Sequence, residues 1–208
     1  PDPKLEALLD EVIAKIVSAQ QPDGYLNVYF TVVEPEKRWK NLGMWHELYC
    51  AGHLIEAAVA HYEATGKRTL LDAMCRYADY IDSVFGPGKR DGAPGHQEIE
   101  LALVKLYRVT GNERYLALSK FFLDQRGQKP SVFERELAHL SEEDARLNRH
   151  FFCQGDTFDS RYCQDHLPVR EQREVTGHAV RAMYMYCAMV DVGIETGDEA
   201  LIEASRRL

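Results

Sequence analysis

The sequence predicts an all-α protein built as a series of helical hairpins. Three observations carry this. Apolar residues recur at three- and four-residue steps along most of the chain, three turns share a Thr-Gly-polar form, and the first helix of each resulting pair is more apolar than the second. An apolar inner ring inside an amphipathic outer ring is what a toroid of hairpins requires. An open solenoid is the other arrangement such a repeat allows.

Taken in order, Leu5, Leu8, Leu9, Val12, Ile13, Ile16 and Val17 define an amphipathic first helix. Pro22 and Asp23-Gly24 end it with turn chemistry. Tyr25 to Val33 is β-branched and aromatic, and is expected to be extended, as a short strand or an ordered loop. A second helix is expected from about Met44 to Ala64, and a third from beyond Lys67 to the Gly86-Pro87-Gly88 stop. After a glycine-rich loop, helices follow over about His96 to Val109 and Glu113 to Gln125. Residues 127–170 are weakly periodic and read as a long connection with a short helix near Glu134 to Leu147. The helical pattern returns from about Thr176 to Val192 and again from Glu199 to Leu208.

The repeat joins Gly52-His53 to Thr65-Gly66-Lys67, Gly95-His96 to Thr110-Gly111-Asn112, and Gly177-His178 to Thr196-Gly197-Asp198. Successive Thr-Gly turns lie 45 and 86 residues apart, the second gap being close to two units. At each, a glycine serves as the left-handed cap of one helix and the next helix starts at once. Three and a half hairpins do not close a core, so residues 1–208 are expected to form part of a single domain rather than a whole one.

Composition narrows the function. Hydrophobic residues make up 45% of the chain, enough for a sizeable core and too many for a disordered segment. Lys and Arg number 25 against 33 Asp and Glu, and the resulting net charge of −8 argues against non-specific binding of nucleic acid or an anionic membrane. The longest apolar run, Ala182 to Val190, is far shorter than a membrane span, and Pro1 to Lys4 lead straight into a helix with no signal-peptide core. Five irregularly spaced cysteines point to reduced thiols, which favours the cytoplasm.

Histidine is the residue type with a pattern. His46, His96 and His178 each stand at or near the start of an inner helix, so in a ring they converge on one mouth. A neutral imidazole both donates and accepts, which suits sugar hydroxyls. His46, Cys50 and His53 share a helical face that would suit zinc, although a packed inner face gives the same pattern. His150 and Cys153, with Cys163 and His166, form a mirrored pair of metal-like spacings that matches no common zinc motif. Glu47, Glu98, Glu100 and Asp91 lie near the expected mouth without any spacing that pairs them for acid–base work. No catalytic-triad order, phosphate-binding loop or dinucleotide fingerprint is present.

Several long, collinear segments carry a resemblance. They are Gln20 to Leu26, Trp45-His46-Glu47-Leu48-Tyr49-Cys50-Ala51-Gly52-His53 through Ala57, Gly95 to Leu103, and Pro168 to Gln172 with Gly177 to Arg181. Together they resemble the catalytic domain of the β-L-arabinofuranosidase family, glycoside hydrolase family 127, across essentially the whole chain. The resemblance implies an (α/α)6 toroid, here partial and incomplete at both ends. It also implies retaining, exo-acting hydrolysis of terminal β-L-arabinofuranose, so the expected partner is a carbohydrate, and neither a nucleic acid nor a membrane. At the matching positions, His46, His96 and His178 would hold the sugar's hydroxyls.

The family's nucleophile is a zinc-bound cysteine in a Cys-Cys pair, and its acid/base is a glutamate. Those motifs, with the other zinc ligands, follow the stretch matched here. The resemblance therefore implies zinc in the full-length enzyme, no metal ligand and no catalytic residue among residues 1–208, and an inactive internal fragment. Other six-hairpin carbohydrate enzymes, an unsaturated-uronyl hydrolase or a sugar epimerase, are the alternative enzymatic reading. A non-catalytic helical-repeat module that binds sugar is the alternative from another class.

Overall fold

The computed structural model describes residues 2–208. Among them lie ten α-helices: α1 (Pro3–Ser18), α2 (Tyr29–Val32), α3 (Glu47–Thr65), α4 (Thr69–Val84), α5 (Ile99–Thr110), α6 (Glu113–Gln125), α7 (Val132–Leu137), α8 (Glu142–Phe152), α9 (Ala179–Thr196) and α10 (Glu199–Arg207). One two-residue antiparallel pair, β1 (Cys153–Gln154) and β2 (Thr157–Phe158), interrupts an otherwise helical chain. No helix among the described residues is long and apolar enough to cross a membrane.

The three expected hairpins are α3/α4, α5/α6 and α9/α10. Helix α3 packs along α5 and α5 along α9, so the three first helices form one layer; each second helix folds back on its own first helix. The Thr-Gly signal works as a small machine at each turn. The threonine hydroxyl donates to the carbonyl four residues back (Thr65 to His61, 2.6 Å; Thr110 to Leu106, 2.7 Å; Thr196 to Val192, 2.7 Å). The glycine then takes φ of +72°, +71° and +68° at Gly66, Gly111 and Gly197, a region closed to most side chains. In two of the three, the next polar residue caps the following helix: Asn112 accepts from Arg114 N at 3.2 Å, and Asp198 from Leu201 N at 3.2 Å.

Two expectations are corrected. Tyr25 to Val33 is not extended throughout, because Asn27 turns the chain into the single-turn α2. Its side-chain oxygen accepts from Phe30 N at 3.2 Å and its carbonyl from the Thr31 hydroxyl at 2.7 Å. The 127–170 connection holds two helices where one was expected, each started by a serine. Ser131 Oγ accepts from Phe133 N at 3.2 Å, and Ser141 Oγ from Asp144 N at 3.2 Å. The apolar face of α1 exists, but only its C-terminal half is covered. Ile13, Ile16 and Val17 join the core beside α4, while Leu5, Leu8, Leu9 and Val12 stay exposed.

Candidate functional site

The structure gathers the three predicted histidines. His46 is the residue immediately before α3 and His178 the residue immediately before α9, while His96 lies three residues before α5. Ring centroids of His46 and His96 are 5.8 Å apart, and those of His96 and His178 are also 5.8 Å apart. Because α3, α5 and α9 lie side by side, starting them at one end places the rings side by side too. Gly52-His53 proves to be a looser member of the repeat: it lies inside α3, and His46 is the residue equivalent to His96 and His178.

Tyrosines that the sequence reading missed complete the cluster. Tyr49 packs against His96 (4.2 Å between centroids) and His53 (4.4 Å), and Tyr184 of α9 approaches His96 at 5.9 Å. The available signal for Tyr49 was helical spacing, since it follows His46 by three positions; Tyr184, six positions after His178, is off that helical face and carried no such signal. Tyr162 closes the far side, 5.5 Å from His178.

Backbone partners assign the imidazole tautomers. His46 Nδ1 lies 2.6 Å from the Met44 carbonyl and His96 Nδ1 lies 2.9 Å from the Gln97 carbonyl, so both nitrogens donate and leave Nε2 as an acceptor. His178 is the reverse: its Nδ1 accepts from Arg181 N at 3.4 Å, which leaves Nε2–H to donate. Burial holds His46 below the ordinary imidazole range and lowers His96 to about 4, with the Arg181 guanidinium adding to both. At neutral pH these two rings are therefore uncharged. Two acceptors and one donor on neighbouring rings can order a set of hydroxyl groups.

The carboxylates near the mouth separate into different roles. Glu47 is buried, accepts from the Tyr25 hydroxyl and from Trp39 N, and burial raises its carboxyl to about 7. Glu100 is fully buried against Arg126, 3.4 Å away. Asp91 is on the surface beside Arg135 at 3.3 Å, outside the cluster. Glu98 is the unusual one. It is 0% exposed, neither carboxyl oxygen has a hydrogen bond of proper geometry, and its Oε1 lies 3.2 Å from His53 Nδ1. Burial, reinforced by neighbouring Glu56, pushes its pKa up to about 9.

His53, Glu56 and Glu98 are the one group of three metal-ligating side chains gathered among the described residues. Glu56, however, is already paired with the Lys105 ammonium, and Glu98 takes its neutral form, so the group is balanced by a proton and a lysine. It contains no thiol and does not fit the thiolate zinc centre that the resemblance implies. The sets proposed from spacing do not form. Cys50 lines the groove beside α1 with Ile16, Ala19 and Leu54, and it joins no group of three metal-ligating side chains among the described residues. Cys163 is buried with its Sγ 3.4 Å from the Ser160 carbonyl, and burial pushes its thiol up to about 12. All five cysteines are free.

Comparison with known proteins decides the family. The family described as "Beta-L-arabinofuranosidase, GH127 catalytic domain" matches residues 1–208. The chain belongs to this family. A non-reducing end β-L-arabinofuranosidase of Bifidobacterium longum subsp. longum is 39% identical over 213 residues, spanning 100% of this chain and 32% of that protein. A crystal structure of a GH127 β-L-arabinofuranosidase from Geobacillus stearothermophilus T6 superposes with a TM-score of 0.88 at 56% identity, covering 100% of this chain and 32% of the other. A second GH127 β-arabinofuranosidase structure gives 0.80 at 41% identity, covering all of this chain and 30% of its own. This GH127 chain thus spans about a third of the length of the relatives it matches.

Proposed function

We propose that the chain forms one wall of the sugar pocket of a retaining, exo-acting β-L-arabinofuranosidase, with His46, His96 and His178 binding the hydroxyls of the terminal sugar. The observation that carries this is the convergence of three imidazoles, two of them held neutral, at one end of three adjacent helices. A furanose presents several hydroxyls and no charge, so neutral rings of mixed tautomer recognise it without the desolvation cost of an ion.

The same reading places α3, α5 and α9 in the inner layer of a partial (α/α)6 toroid, with α4, α6 and α10 outside. The exposed apolar flank of α1 supports it, since an outer helix in a ring has a neighbour on each side. No nucleophile is assigned to this chain. Burial raises the Cys163 thiol, and no cysteine joins a group of three metal-ligating side chains among the described residues. The zinc of the full-length enzyme is expected to be held by residues other than these.

The test is in two parts. The 208-residue chain alone, supplied with zinc, should not hydrolyse a chromogenic β-L-arabinofuranoside; turnover would place a nucleophile within it and overturn the reading. In the full-length enzyme, His96→Ala should lower kcat/KM by about a hundredfold, the range expected when a positioning contact to substrate is lost. An unchanged kcat/KM would remove the imidazole cluster from the pocket.

A further inference from the structure

We propose that Arg181 is a positioning residue that fixes His96 and His178 relative to one another, an inference that rests on the pocket reading above. Arg181 is 2% exposed, on the first turn of α9, three residues after His178. No carboxylate is ion-paired with it among the described residues, where its titratable neighbours are Cys163, Tyr162 and Arg126, which is rare for a buried guanidinium. Arg126, the other fully buried arginine, has Glu100 beside it.

What Arg181 has in place of a carboxylate is the pocket's framework. Its Nη1 donates to the Gly95 carbonyl at 2.9 Å, the residue directly before His96. Its guanidinium lies 4.5 Å from the centre of the Tyr162 ring, whose edge meets His178. The Tyr162 carbonyl accepts from His178 N at 3.0 Å, and His178 Nδ1 accepts from Arg181 N at 3.4 Å. One side chain thus joins the loop that carries His96, the loop that carries Tyr162, and the first turn of α9.

The planar fork is required as well as the charge. Donation to Gly95 and stacking on Tyr162 occur at once only for a flat cation. The charge acts on the rings themselves. Arg181 is the cation facing His96; the other titratable groups around that ring are His46 and Tyr49 from the α3 side, with His178 and Tyr184 from the α9 side. Around Arg181 stand Tyr162, Cys163 and Arg126.

The experiment follows the imidazole titrations by NMR and kcat/KM in the full-length enzyme for Arg181→Met and Arg181→Lys. Arg181→Met should move the His96 midpoint upward and lower kcat/KM at least about tenfold, the loss expected from a small misplacement of a binding group. Arg181→Lys keeps the charge without the fork; it should leave the His96 midpoint low while kcat/KM still falls. Arg181→Lys also carries the test should Arg181→Met fail to fold. Wild-type kcat/KM in Arg181→Lys would overturn the proposal. So would an Arg181→Met enzyme that loses melting temperature and activity together with the His96 midpoint unmoved, which is what a purely structural pin would do. The titration needs no substrate. A wild-type enzyme inert on arabinofuranosides would therefore overturn the proposed function while leaving this inference to its own measurement.

Discussion

The helical hairpins and the loops that lead into them differ in how much of their cohesion is directional. Helices α3 to α6, α9 and α10 meet through apolar burial: Leu48, Ile55, Leu71, Tyr77, Ile81, Leu103 and Phe122 in one cluster, and Met185, Met189, Val192 and Leu201 in another. The loops around residues 41–46, 93–98 and 126–178 share a smaller apolar cluster of Met44, Ala93, Val132, Phe133, Phe152 and Cys163, and add to it a dense set of directional polar contacts. Arg126 donates to the Pro94 and Cys163 carbonyls, Gln97 to the Cys163 carbonyl and Gln164, and Gln164 to the Thr176 and His178 carbonyls. Asn41 and Asn148 exchange a reciprocal pair at 2.8 and 2.9 Å. Apolar burial is non-directional, whereas hydrogen bonds fix the distance and angle between particular groups. The imidazoles stand where these loops enter the helices, so their placement draws on the polar network as well as on the apolar clusters.

The sharpest way to break this arrangement is Gly95→Ala. A Cβ there would lie 1.9 Å from the Gly43 carbonyl oxygen, in a place where the backbone of one mouth loop touches another and Gly95 N donates to the Leu42 carbonyl at 2.9 Å. The atom in the way is backbone and cannot rotate aside. Loss of more than about 3 kcal/mol, or failure to fold, is expected. Urea unfolding followed by circular dichroism measures it; a cost below 1 kcal/mol, roughly that of an ordinary surface change, would mean that the mouth loops do not touch as described.

Asp165→Ala should come next. The buried Asp165 carboxylate accepts from Gly127 N at 2.6 Å, Ser160 Oγ at 2.9 Å and Ser131 Oγ, tying the start of the connection to its end. Removing it leaves three buried donors without a partner, at a cost of about 3 kcal/mol. If the two regions are separable, the loss should appear first as altered imidazole resonances of His178 at the mouth, with helical content retained. Cooperative loss of the helices at the same denaturant concentration would merge the two regions into one.

Titration addresses the junction of the two regions, where Glu98 ends a loop and Glu47 begins a helix. There Glu98 at about 9 and Glu47 at about 7 are both raised by burial. A raised folded-state pKa gives stability that is fully present below the unfolded value, near 4.3, and lost as pH rises through the folded one. Stability should therefore fall between about pH 5 and pH 9. At the acid end His96, lowered to about 4, costs stability as pH drops below about 6.5. Glu98→Gln keeps the shape and removes the titration, so it should raise stability by at least about 2 kcal/mol more at pH 8 than at pH 5. An equal effect at both pH values would show that the carboxyl is not neutral in the folded protein.

How much was legible follows the same division. The hairpins could be read because each Thr-Gly-polar turn writes its hydrogen bonds into three adjacent residues, and Glu113 to Gln125 falls where periodicity put it. His46, His96 and His178 could be read because a helix start is a local signal, and stacking the helices does the rest. The connection could not. Asp165 is bonded to Gly127, Ser131 and Ser160, and Gln97 to Gln164, so the partners lie up to 67 residues apart and carry no period. Tyr49, Tyr184 and Arg181 were missed for a related reason. Each sits at an ordinary helical position, and only the neighbouring helix shows which of its faces meets the imidazoles.

The smallest change isolates the hairpin turns. In Gly111→Ala a Cβ would meet nothing within 4 Å, so no contact is made or lost and the cost is that of holding an alanine at φ +71°. That is about 1 kcal/mol, and it should leave the imidazole titrations untouched because the Thr110 turn lies at the opposite end of α5 from His96. Gly95→Ala and Gly111→Ala exchange the same two residue types at opposite ends of one helix. A ratio of three or more between their costs would show that the mouth owes its glycine to close approach and the turn owes its glycine to backbone angle. Similar costs, or a shifted His96 titration in Gly111→Ala, would mean that strain at the turn is transmitted along α5 to the imidazole cluster.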